Sequence, residues 1–124
     1  MKIQELSVGD WVRRTFYEEN VRIVRIYGDS ERVLAEKGKM SISCHLNHFE
    51  PIRITPEILK MNGWREDKTD PNFFATDEVY IYNHEGIWRL RPKSTELLIV
   101  VDVKYIHELQ RALRLLGVEK EIEL

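Results

Sequence analysis

The sequence predicts an α+β fold. A small SH3-like or curled β section over residues 1–54 is followed by a helix–β-hairpin–strand–helix–strand section over 55–124, read as one compact unit. Three observations carry this. In the first fifty residues, runs rich in β-branched and aromatic side chains are cut by turn residues roughly every ten positions, as in a small barrel. At Thr55-Pro56-Glu57 the pattern switches to that of a helix start. Near the end, the apolar run Leu97-Leu98-Ile99-Val100-Val101 precedes Tyr105, Ile106, Leu109, Ala112, Leu113 and Leu116, spaced by threes and fours along one helical face.

Taken in order, Val8-Gly9-Asp10 is a turn feeding a strand at Trp11-Val12-Arg13-Arg14. Asn20 to Tyr27 is a second strand, stopped by Gly28-Asp29-Ser30, and Arg32 to Ala35 a third, stopped by Lys37-Gly38-Lys39. Met40 to Cys44 alternates apolar with small polar side chains, the period of a half-buried strand, and Pro51 closes the section. Thr55 is the N-cap of a short helix, Pro56 suits its first turn, and Glu57 faces the positive end of the dipole. Ile58, Leu59 and Met61 form the apolar side; Asn62-Gly63 ends the helix with residues tolerant of positive φ, and Trp64 plugs into the core. Residues 65–72 are polar and read as a loop. Glu78 to Tyr82 and Ile87 to Arg91 flank Asn83-His84-Glu85-Gly86, a hairpin signal ended by Pro92. The run at 97–101 reads as a central strand buried on both faces, with Asp102 as N-cap of the final helix. Gly117 ends that helix, and Glu119 to Leu124 alternates as a short, charged edge strand.

Three segments resemble a known family. Glu50 to Trp64 is similar to a recurring PI-x-LT-x-x-x-L-x-x-x-GF segment, Lys104 to Gln110 to KYVHQLQ, and Glu5 to Val12 to an LRIGN-x-V start. These motifs belong to small uncharacterised proteins of anaerobic gut bacteria and their phages or mobile elements. The chain departs from the pattern at Glu108, where the family carries Gln, and in its middle. The resemblance implies an α+β domain, cytoplasmic residence and a phage or mobile-element setting. The family has no assigned activity, so no functional residue is carried over.

At 124 residues, 43% hydrophobic and 32% charged, the chain buries roughly two-thirds of its unfolded surface and needs no disulfide or metal to fold. Its single cysteine, Cys44, excludes an internal disulfide and suits a reducing compartment. The N-terminal residues lack the pattern of a secretory signal, and no run approaches the roughly 18 apolar residues of a membrane span. A cytoplasmic protein without membrane contact is expected. The net charge of −2 argues against a protein devoted to neutralising phosphate; residues 1–54 carry 9 Lys/Arg against 8 Asp/Glu, and 55–124 carry 10 against 13.

No catalytic or cofactor motif stands out. Cys44, His45 and His48 offer soft and imidazole ligands but lack a second pair; His84 and His107 would have to converge on them. Cys44 or a serine with His107 and Asp102 or Glu108 has the residue types of a triad, without a glycine-rich nucleophile turn. Gly28, Gly38 and Gly63 stand alone, so there is no phosphate loop. His107 lies one residue off the apolar stripe and reads as a rim hydrogen-bonding residue. No catalytic, cofactor or metal residue is therefore assigned.

Two binding surfaces remain. Trp11, Arg13, Arg14, Arg22 and Arg25, with Phe16, Tyr17, Tyr27 and Arg32 nearby, are candidate nucleic-acid contacts, since guanidinium groups pair with phosphates and aromatics stack on bases. Glu18, Glu19, Asp29 and Glu31 sit among them, and Arg22 and Arg25 fall on opposite faces of a regular strand. Tyr80, Tyr82, Trp88 and Arg89, with Arg91, are the types that dominate protein interfaces. The first expectation is a non-catalytic binding or accessory protein whose partner is an unidentified protein or a second copy of the chain. The alternative is a nucleic-acid-associated domain working through residues 11–32, and an enzyme comes third.

Overall fold

The computed structural model describes residues 5–94 and 99–124. The chain is a small α+β protein that divides into two compact units, one running to Ile52 and the other spanning Arg53–Glu123.

The first unit is an antiparallel sheet of β1 (Trp11–Arg14), β2 (Glu19–Tyr27), β3 (Arg32–Lys37), β4 (Met40–His45) and β5 (Phe49–Pro51), in the order β4-β3-β2-β1-β5. Four strands form a meander, and β5 returns to the free side of β1, pairing Val12 with Pro51 and Arg14 with Phe49. Only this pairing makes Phe49–Pro51 a strand; three residues are too few to show a period of two. A 3-10 turn at Leu46–His48 leads into β5, held by an Asn47 N–H donated to His45 Nδ1 at 3.2 Å. At the entry to β1, Gly9 takes φ +93°, and Asp10 Oδ2 accepts from the Ser7 N–H at 2.7 Å. The core gathers the inward positions: Val12, Val21, Ile23, Val33, Ala35 and Phe49, with Ile26, Ile42 and Cys44 packed against them.

The second unit opens with α1 (Pro56–Met61), whose Thr55 cap forms as expected: Oγ1 accepts from the Ile58 N–H at 3.2 Å. The positive φ at the helix end falls on Gly63 (+82°), while Asn62 keeps φ −96°. Leu59 is fully buried but Met61 is 69% exposed, so the apolar side of α1 is narrower than expected. Trp64 is buried. There follow β6 (Arg65–Glu66), β7 (Phe73–Ala75), β8 (Val79–His84), β9 (Ile87–Pro92) and β10 (Val101–Val103), an antiparallel sheet in the order β10-β9-β8-β7-β6. The expected loop thus contains a short strand, and its turn is tied by Asp67 Oδ2, which accepts from Thr69 and Asp70. The hairpin forms as expected, with Glu85 and Gly86 at φ +54° and +85° at its tip.

The final third departs further. Leu97 and Leu98 lie outside the described residues. Ile99 and Val100 are 44% and 55% exposed, and the strand is Val101–Val103 at the sheet edge, paired with β9. An apolar run signals strand propensity but does not say how many neighbours the strand will have. Asp102 is therefore no helix cap; it sits in β10 opposite Arg89. Helix α2 (Ile106–Leu115) begins after an extended Tyr105, and Glu108 Oε1 accepts from the N–H groups of Lys104 (2.9 Å) and Tyr105 (3.1 Å). Ile106, Leu109, Ala112 and Leu113 are buried as the stripe predicts; His107 is buried too, at 4% exposure, its ring stacked 5.9 Å from that of Tyr105. Residues 119–124 form no strand. Side-chain amides hold them instead. Gln110 donates to Lys120 O (2.9 Å) and accepts from Ile122 N (2.8 Å), and Asn62 exchanges two bonds with the Glu123 backbone at 2.7 and 3.0 Å. Burial of Val118 and Ile122 explains the alternation without a sheet.

Candidate functional site

The outward face of the first sheet follows from its registers. Paired residues on neighbouring strands share a face, so Trp11, Arg22, Glu36 and Ser41 form one outward row, and Glu50, Arg13 and Asn20 another. Beyond Ile23 the register of β2 slips. Ile23 is opposite Ala35, yet Arg25 is opposite Leu34, so Val24 is an extra residue on β2, a β-bulge. A regular strand would turn Arg22 and Arg25 to opposite sides. Here both share the side of Leu34 and Glu36, and the row Tyr27–Arg32–His45 extends it. The bulge therefore brings Arg25, with Tyr27 and Arg32, onto the face that Trp11, Arg13 and Arg22 already share. Arg14 is the exception. It shares the inward side with Val12 and Phe49 and ends at the rim of the core.

The arginines differ in how far they are occupied. Arg13 bridges Glu18 (3.2 Å) and Glu50 (3.4 Å). Arg14 binds Glu19, which also pairs with Lys37 at 3.2 Å, and its guanidinium lies 3.8 Å from the Tyr17 ring centroid. The hydrogen bond from Arg14, then that from Lys37, holds the Glu19 carboxyl below its ordinary range. Arg22 Nε donates to Gly9 O at 3.1 Å and its guanidinium stands 5.6 Å from the Trp11 ring. Arg32 donates to Ser43 O at 3.3 Å. Arg25 is exposed, and no carboxylate among the described residues is paired with it.

The second sheet presents its own outward face. On β9, Trp88 and Leu90 alternate with Arg89 and Arg91; Trp88 pairs with Asn83 and Val103 and is 2% exposed. Trp88 is thus a core residue packed 6.0 Å from Phe74, not an interface residue, because a period of two cannot put it on the same side as Arg89. Tyr80, Tyr82 and Arg89 do face outward. Arg89 Nε donates to Asp102 at 2.9 Å, and Asp102, then the Tyr82 hydroxyl, raises the pKa of the guanidinium. Sequence reasoning missed Phe73, which lies opposite Tyr82; in Phe73-Phe74 one ring must point out and one in, and only the strand pairing says which.

The remaining candidates separate. Cys44 points inward, and burial raises its thiol pKa despite Arg14 and Arg32. His45 lies on the opposite side, 3.5 Å from Glu31, and His48 meets the Phe16 ring at 6.3 Å. Asp102 and Glu108 are engaged by Arg89 and by backbone N–H groups. Among the described residues no three His, Cys, Asp or Glu side chains come together as a metal site, and no helix is long and apolar enough to cross a membrane. Comparison with protein-family models, curated proteins and solved structures gives no match.

Proposed function

We propose that the protein is a non-catalytic binding module, that its first unit is an SH3-like barrel, and that the outward face of this sheet contacts nucleic acid. The barrel reading rests on a four-strand meander whose fifth strand returns to β1 after a 3-10 turn. One observation carries the functional reading: the bulge at Val24, which aligns Arg22 and Arg25 with Trp11 and Arg13. Arginines in an aromatic setting suit a phosphate backbone with bases within stacking reach. The face holds Arg13, Arg22, Arg25 and Arg32 beside Glu36 and Glu50, with Glu18 reaching Arg13 and Glu31 reaching His45, so the charges nearly balance. The group it offers a phosphate is Arg25, an exposed guanidinium with no carboxylate paired to it among the described residues. The three resembling segments add cytoplasmic residence and a phage or mobile-element setting to the proposal. A protein partner at the hairpin loses its strongest anchor, since Trp88 lies in the core.

The test is fluorescence anisotropy of labelled single-stranded and duplex oligonucleotides against the full chain, across about 50 to 200 mM salt. Binding should weaken steeply with salt, and R22E/R25E should reduce duplex affinity at least tenfold with a shallower salt slope. Salt-independent binding, or unchanged affinity in R22E/R25E, would refute the reading; recovery of a discrete protein partner that ignores both arginines would replace it.

A further inference from the structure

We infer that the outward face of the second sheet is a stacking platform for the bases of single-stranded nucleic acid. It does not rest on the first unit, whose arginines lie on a different sheet. Phe73 on β7 lies opposite Tyr82 on β8, with ring centroids 6.4 Å apart and planes within 6° of parallel, and its ring is 5.4 Å from that of Tyr80. The three rings form one aromatic strip across two neighbouring strands. All are half-buried, as expected of rings lying along a sheet with part of their surface in solvent. On β9, Arg89 stands opposite Tyr82 and Arg91 opposite Tyr80.

Charge decides what such a strip takes. Arg89 is answered by Asp102, and Arg65, at the end of the Tyr80–Ala75 row, by Asp77, each at 2.9 Å. Arg91 and Lys93 have no carboxylate paired with them among the described residues. Instead they stand 5.2 and 5.0 Å from the Tyr80 ring centroid. Glu78 supplies its carbonyl to the Lys93 N–H at 2.9 Å. Flat π surfaces, one of them with two such cations over its ring, match the two halves of a nucleotide, base and phosphate. Bases inside a duplex are stacked on one another and cannot reach rings lying on a sheet, so the ligand is single-stranded; aromatics on an antiparallel sheet serve this purpose in other nucleic-acid-binding folds.

The experiment titrates the full chain against labelled oligo-dT of about 15 nucleotides, with a duplex of that length and poly-glutamate as comparators, at about 50 mM salt. With Arg22 and Arg25 removed by R22E/R25E, oligo-dT should bind in preference to both. Phe73→Ala and Tyr80→Ala should each weaken it by roughly 5- to 150-fold, while Tyr80→Phe, which keeps the ring, should not. Tyr80→Ile keeps β propensity and apolar bulk but removes the flat ring. It should also lose binding, which separates stacking from a folding defect. R91Q/K93Q should lower the salt slope by about 1.4. In the R22E/R25E background, oligo-dT binding should persist and then vanish with Phe73→Ala. If R22E/R25E alone abolishes it, this inference fails and the first-unit reading stands. In the R22E/R25E background, equal affinity for the duplex, displacement by poly-glutamate, or indifference to Phe73→Ala and Tyr80→Ile would overturn it.

Discussion

Replacing Trp88 with alanine tests the register of the hairpin, because the two faces of β9 predict opposite results. The indole is 2% exposed and packs against Phe74 at 6.0 Å. Burying an aromatic of this size removes roughly 200 Å² from water, which at about 25 cal/mol per Å² corresponds to ~5 kcal/mol; buried aromatic truncations cost about 3–5 kcal/mol. Domains of this size are stable by only about 5–15 kcal/mol. At roughly 4 °C per kcal/mol the melting temperature should fall by about 12–20 °C. Urea and thermal unfolding followed by far-UV circular dichroism avoid the loss of the tryptophan signal itself. Tyr82→Ala, on the same hairpin but outward-facing, is the control and should cost about 1 kcal/mol. A Trp88→Ala protein that melts within about 3 °C of wild type would show that Trp88 does not face the core, and the register would be wrong. With the indole in the core, loss of binding in Trp88→Ala follows from lost stability, whereas loss in Tyr82→Ala does not.

Three further outcomes follow from particular contacts. Glu108→Ala removes the acceptor for the Lys104 and Tyr105 N–H groups and should destabilise the protein by about 1 kcal/mol, whereas Asp102→Ala should leave the hydrogen-exchange protection of the first turn of α2 unchanged; the reverse pattern would restore Asp102 as the cap. Gln110→Leu removes the donor to the Lys120 carbonyl and the acceptor for the Ile122 N–H, and should cost about 1–3 kcal/mol with faster amide exchange at Ile122; unchanged exchange would mean that the Gln110 amide does not hold the last residues. For Glu19, Arg14 and Lys37 depress the folded pKa below its ordinary 4.5. Its contribution is therefore present above that value and lost as pH falls through the lowered one. The gap in melting temperature between wild type and Glu19→Gln should shrink on acidification from pH 7 to about 3, and a constant gap would count against the Arg14–Glu19–Lys37 cluster.

What the sequence determined by itself was local. The Thr55 cap, the Glu85-Gly86 hairpin tip, the α2 stripe and the first four strands each rest on residues a few positions apart, whose side chains bias their own backbone. The candidate surfaces were legible as residue types, not as faces. Tertiary pairing decided the rest. It made Phe49–Pro51 a strand by placing it beside β1, left β10 at an edge with Ile99 and Val100 exposed, and sent Trp88 inward and Phe73 outward. It also put the bulge at Val24, so that a parity rule assigning Arg22 and Arg25 to opposite sides gave way to a shared face. A strand's side-chain period is a property of its own backbone. Its register, its bulges and its number of neighbours belong to the partner strand, which lies elsewhere in the chain.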